Sequence, residues 1–169
     1  MNTERFEYRN IRKNEADQAA EIEQICFPPN EACSREHMVD RVLHAPELFL
    51  VAVDNETGKI AGFLNGLATR ETVFRDAFFT DGSLHDPAGE YVMLLGLDVL
   101  PEYRRQGLAR ELVSKYAVRE HKNGRKQLIL TCLKEKLGMY RKFGFQDRGI
   151  SNSTWGGEVW YEMVYSLQA

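Results

Sequence analysis

The run Leu97-Asp98-Val99-Leu100-Pro101-Glu102-Tyr103-Arg104-Arg105-Gln106-Gly107-Leu108-Ala109-Arg110 carries the clearest chemical signal in the chain. It joins an apolar strand pattern to an amphipathic helix through a basic turn that contains a glycine. A helix start leaves its first backbone N–H groups without intrahelical partners, and the helix dipole adds partial positive charge there. A pyrophosphate suits such a turn. Residues Arg104 to Ala109 fit the pattern Arg/Gln-x-x-Gly-x-Gly/Ala. Gly107 lets the backbone approach a bulky anion because no Cβ intervenes, and Ala109 is small enough for the first helical turn to pack closely. The hexapeptide alone is equally an ordinary helix start with solvated arginines. The preceding buried strand, Pro101 and the helix that follows favour the anion site. A second chemical candidate is Tyr140. Its phenol can donate a proton to a leaving group within hydrogen-bond reach, although Leu137 and Phe143 on either side also suit a packing aromatic.

The elements that must position these groups follow from hydrophobic periodicity. Phe6 to Ile11 reads as a strand. Asn14 is placed to cap a helix with Ala19, Ile22 and Ile25 at helical spacing, broken at Phe27-Pro28-Pro29-Asn30. Ser34 starts a second helix with Met38, Val42 and Leu43 on one face. Leu48–Val53 and Ile60–Leu67 form a hairpin about the turn Asn55-Glu56-Thr57-Gly58. Thr69 to Glu90 is a long connection, either functional or a surface excursion anchored by its aromatics. Tyr91–Leu100 is a near-continuous apolar strand, central in its sheet, with Gly96 marking a bulge or a close approach. The helix Leu108–His121 carries the apolar rows Leu108/Leu112/Tyr116 and Ala109/Val113/Ala117. A strand Gln127–Leu133, a short helix Glu135–Phe143 closed by Gly144, and strands Phe145–Arg148 and Glu158–Ser166 complete the order. Hairpins mixed with strand–helix crossovers predict an α/β (α+β) fold. Its single mixed sheet has six to seven strands, antiparallel at one end, parallel near the middle and flanked by helices.

Composition narrows the function. The 169 residues, 43% of them hydrophobic, suit one domain spanning 1–169. A formal charge of -3 argues against general nucleic-acid binding. Cys26, Cys33 and Cys132 lack CxxC spacing, so free thiols in a reducing compartment are expected, with no disulfide framework and no zinc. His37, His44 and His121 lack ligand spacing and read as surface residues, so no metal is expected. The absence of a bilayer-length apolar stretch, with a charged N-terminus, points to a cytoplasmic protein without a membrane partner. Trp155 and Trp160, with Tyr161 and Tyr165, read as core and edge packing.

The cofactor turn and the later segment Met139-Tyr140-Arg141-Lys142-Phe143-Gly144-Phe145 together resemble the two landmarks of the GCN5-related N-acetyltransferases (GNAT). The likeness covers roughly the whole chain and is strongest from Val92 to Phe145. Within that superfamily, looser matches are similar to the microbial serotonin (arylalkylamine) N-acetyltransferases: Cys26 to Ala32, Ala45-Pro46-Glu47-Leu48, Leu84-His85-Asp86-Pro87 and Cys132. The resemblance implies acetyl-CoA as co-substrate. It assigns the pantetheine arm to backbone groups of Leu97, Asp98 and Val99, and the pyrophosphate to the turn that includes Arg104, Arg105, Gln106, Gly107, Leu108, Ala109 and Arg110. It makes Tyr140 the acid that protonates the departing thiolate. The implied reaction is direct attack by a primary amine in a ternary complex. The alternatives are acetylation of a protein or peptide amine, and a non-catalytic, regulatory CoA-binding domain.

The general base does not carry over. The animal serotonin enzymes have two histidines on the central strand, and Met93 and Leu95 stand there in this chain. Glu90, Asp98, His85, Glu31 and water are the remaining candidates. The amine pocket is expected between Phe27–Cys33, Thr69–Glu90 and Ser151–Gly157, with Phe27, Phe74, Phe78 and Phe79 as apolar lining. Glu31 is placed to attract the charge of a small-molecule amine. A monomer or homodimer is expected.

Overall fold

The computed structural model describes residues 5–167. Seven strands form one sheet: β1 Phe6–Asn10, β2 Phe49–Asp54, β3 Ile60–Thr69, β4 Tyr91–Val99, β5 Gln127–Cys132, β6 Gln146–Ile150 and β7 Tyr161–Ser166. Their spatial order is β1-β2-β3-β4-β5-β7-β6. All neighbours are antiparallel except β4 and β5. That single parallel pair requires a crossover, supplied by helix α4, Leu108–Lys122. The other helices are α1 Ala16–Cys26, α2 Arg35–His44, α3 Ala77–Thr80 and α5 Leu137–Phe143.

Each face of the sheet is covered by apolar helix rows. In α4, Leu108, Leu112, Val113, Tyr116 and Ala117 are buried, as the periodicity predicts. Glu111 and Lys115 form the outward ion pair at 3.8 Å. Burial of β2 and β3 along their whole length makes them the centre of the core. Ser34 caps α2 by accepting from the His37 N–H at 3.1 Å.

Several sequence expectations are corrected. Asn14 does not cap α1, because a short 3-10 turn, Lys13–Glu15, precedes the helix. The Glu15 carboxylate there accepts from the Arg12 backbone N–H and pairs with Arg9. Ile25 and Leu43, placed by periodicity on buried faces, lie 60% and 61% exposed at the last turns of their helices. The long connection after β3 contains α3 and a 3-10 turn, Gly82–Leu84. The final strand begins at Tyr161, later than Glu158, because Glu158 belongs to the preceding loop.

β4 is paired unequally along its two edges. Against β3 it is zipped from Gly62↔Val99 to Thr69↔Tyr91, with one irregularity. There Asn65 pairs with Gly96 and Gly66 with Leu94, so Leu95 is an extra residue on β4, a β-bulge. Against β5 the pairing stops after Met93↔Ile129. From Leu94 onward the two parallel strands splay apart.

Candidate active site

The splay opens a groove with two chambers. The first, about 320 Å³, lies between Leu94–Leu97 of β4 and the end of β5 with the residue after it, Leu130–Leu133. The second, about 440 Å³, runs from Leu97 and Val99 to the basic turn and the start of α4. They share Cys26, Phe27, Leu97, Lys136 and Met139, so the space is continuous from the middle of the sheet to the helix terminus. A strand edge without a neighbour offers backbone groups to an extended ligand arm. The Val99 carbonyl is already engaged, accepting from Arg104 Nε at 2.9 Å and from Cys26 Sγ at 3.4 Å.

The turn has the conformation an anion site needs. Arg105 and Gly107 are both left-handed, with φ of 63° and 81°. A Cβ at Gly107 would touch nothing, so that side of the backbone is open space. Gly107 stands at the N-cap of α4 with no side-chain cap, so the first N–H groups of the helix face the second chamber unsatisfied by any side chain. Arg104, Arg105, Gln106 and Arg110 are exposed around it. The Arg110 guanidinium lies 5.4 Å from the centre of the Phe143 ring, joining α4 to α5 at the groove wall. Every residue expected to meet the cofactor except Asp98 and Gln106 lines one of the two chambers.

Tyr140 lines the first chamber. Its ring is held edge-on by Phe143 and Phe145, with centroids 6.1 and 5.4 Å away. Its hydroxyl has no hydrogen-bond partner among the described residues. Burial, reinforced by the charges of Cys132 and Asp98, holds its pKa well above the usual phenol range, so it stays protonated. A thiolate formed in this wall is penalised by the same surroundings. Burial pushes the neighbouring Cys132 thiol up to about 12. Burial thus raises phenol and thiol in the same direction, so it does not by itself set the phenol against protonating a thiolate formed here.

The expected bases separate clearly. His85 is tied off: Nδ1 accepts from the Ala68 N–H at 3.0 Å and Nε2 meets Glu47 at 2.6 Å. Glu90 pairs with Lys126 at 3.2 Å on the surface, away from both chambers. Glu31 lines the first chamber, its pKa raised by burial and by Glu158. Asp98 is fully buried beside that chamber, and neither of its oxygens has a partner.

The amine-side expectations are corrected in part. Phe27 and Phe79 line the first chamber, whereas Phe74 and Phe78 are core residues, each 1% exposed. Trp155 and Trp160, read from sequence as packing, also line it. The Trp155 ring lies 4.8 Å from that of Phe79, and its Nε1–H donates to the Glu31 carbonyl at 2.8 Å. Asn30 donates to the Gly156 carbonyl at 3.0 Å, so the loop after α1 is clasped to the loop before β7. Glu23 and Arg41 line the same chamber although both are almost fully buried. Sequence reasoning missed both, since charged residues within amphipathic helices read as a solvated face. Among the described residues no group of three or more His, Cys, Asp or Glu side chains is placed to hold a metal, and no helix is long and apolar enough to cross a membrane.

Residues 16–145 match the model of the acetyltransferase (GNAT) family, and the chain belongs to that family. A curated relative, the Probable hydrolase YhcX of Bacillus subtilis (strain 168), is 26% identical over 147 residues. The match covers 80% of this chain but only 27% of YhcX, so the chain spans about a quarter of that relative's length. Among solved structures, the GphF GNAT-like decarboxylase in complex with isobutyryl-CoA superposes with a TM-score of 0.82 at 19% identity, covering 96% of this chain and 100% of that one. A GNAT superfamily phosphinothricin acetyltransferase from Sinorhizobium meliloti in complex with AcCoA gives 0.68 at 17% identity, covering 96% and 88%. At these identities the structural likenesses speak for the fold.

Proposed function

We propose that this chain transfers an acetyl group from acetyl-CoA to a primary amine by direct attack within a ternary complex. The observation that carries the reading is the continuous groove. An uncapped helix terminus with a left-handed, glycine-bearing turn lies at one end, and an unpartnered tyrosine hydroxyl faces the chamber at the other. The open edge of β4 beyond Met93 is suited to the pantetheine arm through Leu97 and Asp98 backbone groups. The N–H groups from Arg105 to Arg110 suit the pyrophosphate, and Arg104 helps form that end of the groove. Holding the two substrates together is a large part of the rate in such a reaction. Tyr140 protonates the leaving thiolate.

The first chamber favours a small amine with an apolar or aromatic body, such as an arylalkylamine. Phe27, Phe79, Trp155 and Trp160 offer aromatic wall, and Glu31 offers negative charge for the ammonium. The acceptor reaches this chamber as a small molecule inside the cell, and one chain holds a complete set of these groups. Because a relative by sequence is named as a hydrolase, transfer of the acyl group to water is the reading to test against it.

Release of free CoA thiol from acetyl-CoA, with and without tryptamine, phenethylamine, polyamines or lysine-bearing peptides, tests the proposal. Amine-dependent release is expected, with a loss of about 10²-fold or more in kcat on Tyr140→Phe and unchanged acetyl-CoA affinity. Equal release in the absence of every amine would instead support thioester hydrolysis.

A further inference from the structure

The most unusual chemistry in the molecule lies behind the first chamber. Glu23 of α1 is 4% exposed and lines that chamber, and its Oε1 has no partner. Its Oε2 accepts from the Cys33 backbone N–H at 3.1 Å. Asp98 of β4 is fully buried within hydrogen-bonding reach of Glu23. Both carboxyls face the space above Gly96. A Cβ there would lie 3.1 Å from Asp98 Oδ1 and 3.6 Å from Glu23 Oε1, so the bulge glycine leaves the room they occupy.

Two carboxylates in contact and out of water cannot both stay ionised; one proton held between them removes the repulsion and supplies the missing hydrogen bond. Burial first, then the charge of Glu23, holds the Asp98 carboxyl well above the usual carboxylate range. The groups facing the pair are few. Cys26 comes from α1 and Cys33 from the loop after it, both thiols pushed up by burial. The neutral amide of Asn65 comes from β3. Arg41 comes from α2, 3% exposed, its Nε and Nη1 without partners.

We propose that Glu23, with Asp98 as its proton-sharing partner, accepts the proton from the attacking amine. This rests on the acetyltransferase reading above. The amine nitrogen forms its bond to the thioester carbonyl carbon as the carbon–sulfur bond breaks. The nitrogen's proton passes to Glu23, directly or through one water. The thiolate takes the Tyr140 proton, and the phenolate is reprotonated as the Glu23 proton returns through solvent. The net result is one amide and one thiol. Glu23 is the catalytic group; Asp98 is a positioning residue that acts through it.

The test combines kinetics with infrared spectroscopy on the full chain. Wild type at neutral pH should show the carbonyl stretch of a protonated carboxylic acid, and Asp98→Asn should lose it and lower kcat, though by less than Glu23→Gln does. Glu23→Gln should lower kcat about 10²-fold at neutral pH with acetyl-CoA affinity unchanged. Its deficit should shrink as pH rises, because the amine must then lose its proton to bulk water. Melting curves and acetyl-CoA binding establish that both variants fold. An active wild type without the protonated-carboxyl band, or a Glu23→Gln chain with wild-type kcat and pH profile, overturns this inference alone. A wild type that binds acetyl-CoA yet acetylates no amine overturns the acetyltransferase reading and the inference with it.

Discussion

Two buried aspartates in neighbouring parts of the sheet have opposite surroundings. Asp54, at the end of β2, receives Arg5 on both oxygens at 2.9 and 3.0 Å, the Tyr103 hydroxyl at 2.6 Å and the Glu56 N–H at 2.9 Å. Asp98, on β4, receives nothing and has a second carboxyl for a neighbour. Hydrogen bonds from Arg5 and Tyr103 hold the Asp54 pKa well below the usual carboxylate range, whereas burial and Glu23 hold that of Asp98 well above it. The fully partnered group ties β2 to Arg5, just before β1, and to the turn after β4. The unpartnered one lies against the groove. A buried charge with all its bonds made supports the fold, and one without them holds reactivity in reserve.

The largest expected effect that would break this contrast is Asp54→Asn. It leaves Arg5 facing a neutral amide in a site built for charge, and the melting temperature at neutral pH should fall by several degrees. The sign with pH follows from linkage. A carboxyl depressed in the folded state stabilises above its unfolded value of about 4 and loses that contribution as pH falls through the folded value. The deficit of Asp54→Asn should therefore close in acid, and melting curves from neutral to acid pH check this.

Asp98→Asn should act the other way. A carboxyl raised in the folded state opposes folding increasingly as pH rises above about 4. The variant should be more stable than wild type at neutral and alkaline pH, by on the order of 1 kcal/mol. That gain should vanish in acid; equal destabilisation by both substitutions would refute the contrast. A smaller effect is expected from Gly96→Ala, whose Cβ would press on Asp98 Oδ1 at 3.1 Å. A stability loss of about 1 kcal/mol with a larger proportional loss in kcat would mark the pair as its target. The smallest effect concerns the thiols. Burial raises Cys26, Cys33 and Cys132, so alkylation should be slow at neutral pH in a mass-spectrometric time course. Cys26, on the shared wall, should be slowed further by acetyl-CoA.

The turn at the start of α4 was legible in the sequence because local rules decide it. Gly107 and the apolar rows of α4 follow from positions close together in the chain, and Gly96 signalled the bulge. The far wall of the first chamber was not legible. Glu23 stands among Glu21, Gln24 and Ala20 in a helix where periodicity expects Ile25 inside; instead Ile25 is exposed and Glu23 is buried. Whether a glutamate meets water or Asp98 depends on elements far away in sequence. The same holds for Trp155, whose role as chamber wall is set by Phe79 and Glu31.

The extra residue at Leu95 also determines which side of the sheet the chemistry faces. Side chains alternate along a strand, so even-numbered positions of β4 should share one side. Before the bulge they do: Val92 points into the space beside Gly66 that the Tyr116 hydroxyl of α4 also enters. After it, Gly96 and Asp98 point toward Glu23 on the opposite side. The bulge thus works as a frameshift in sidedness, written with one residue and no change of composition. The same residues paired without the bulge would keep every acid, yet Asp98 would be turned toward α4 and away from Glu23.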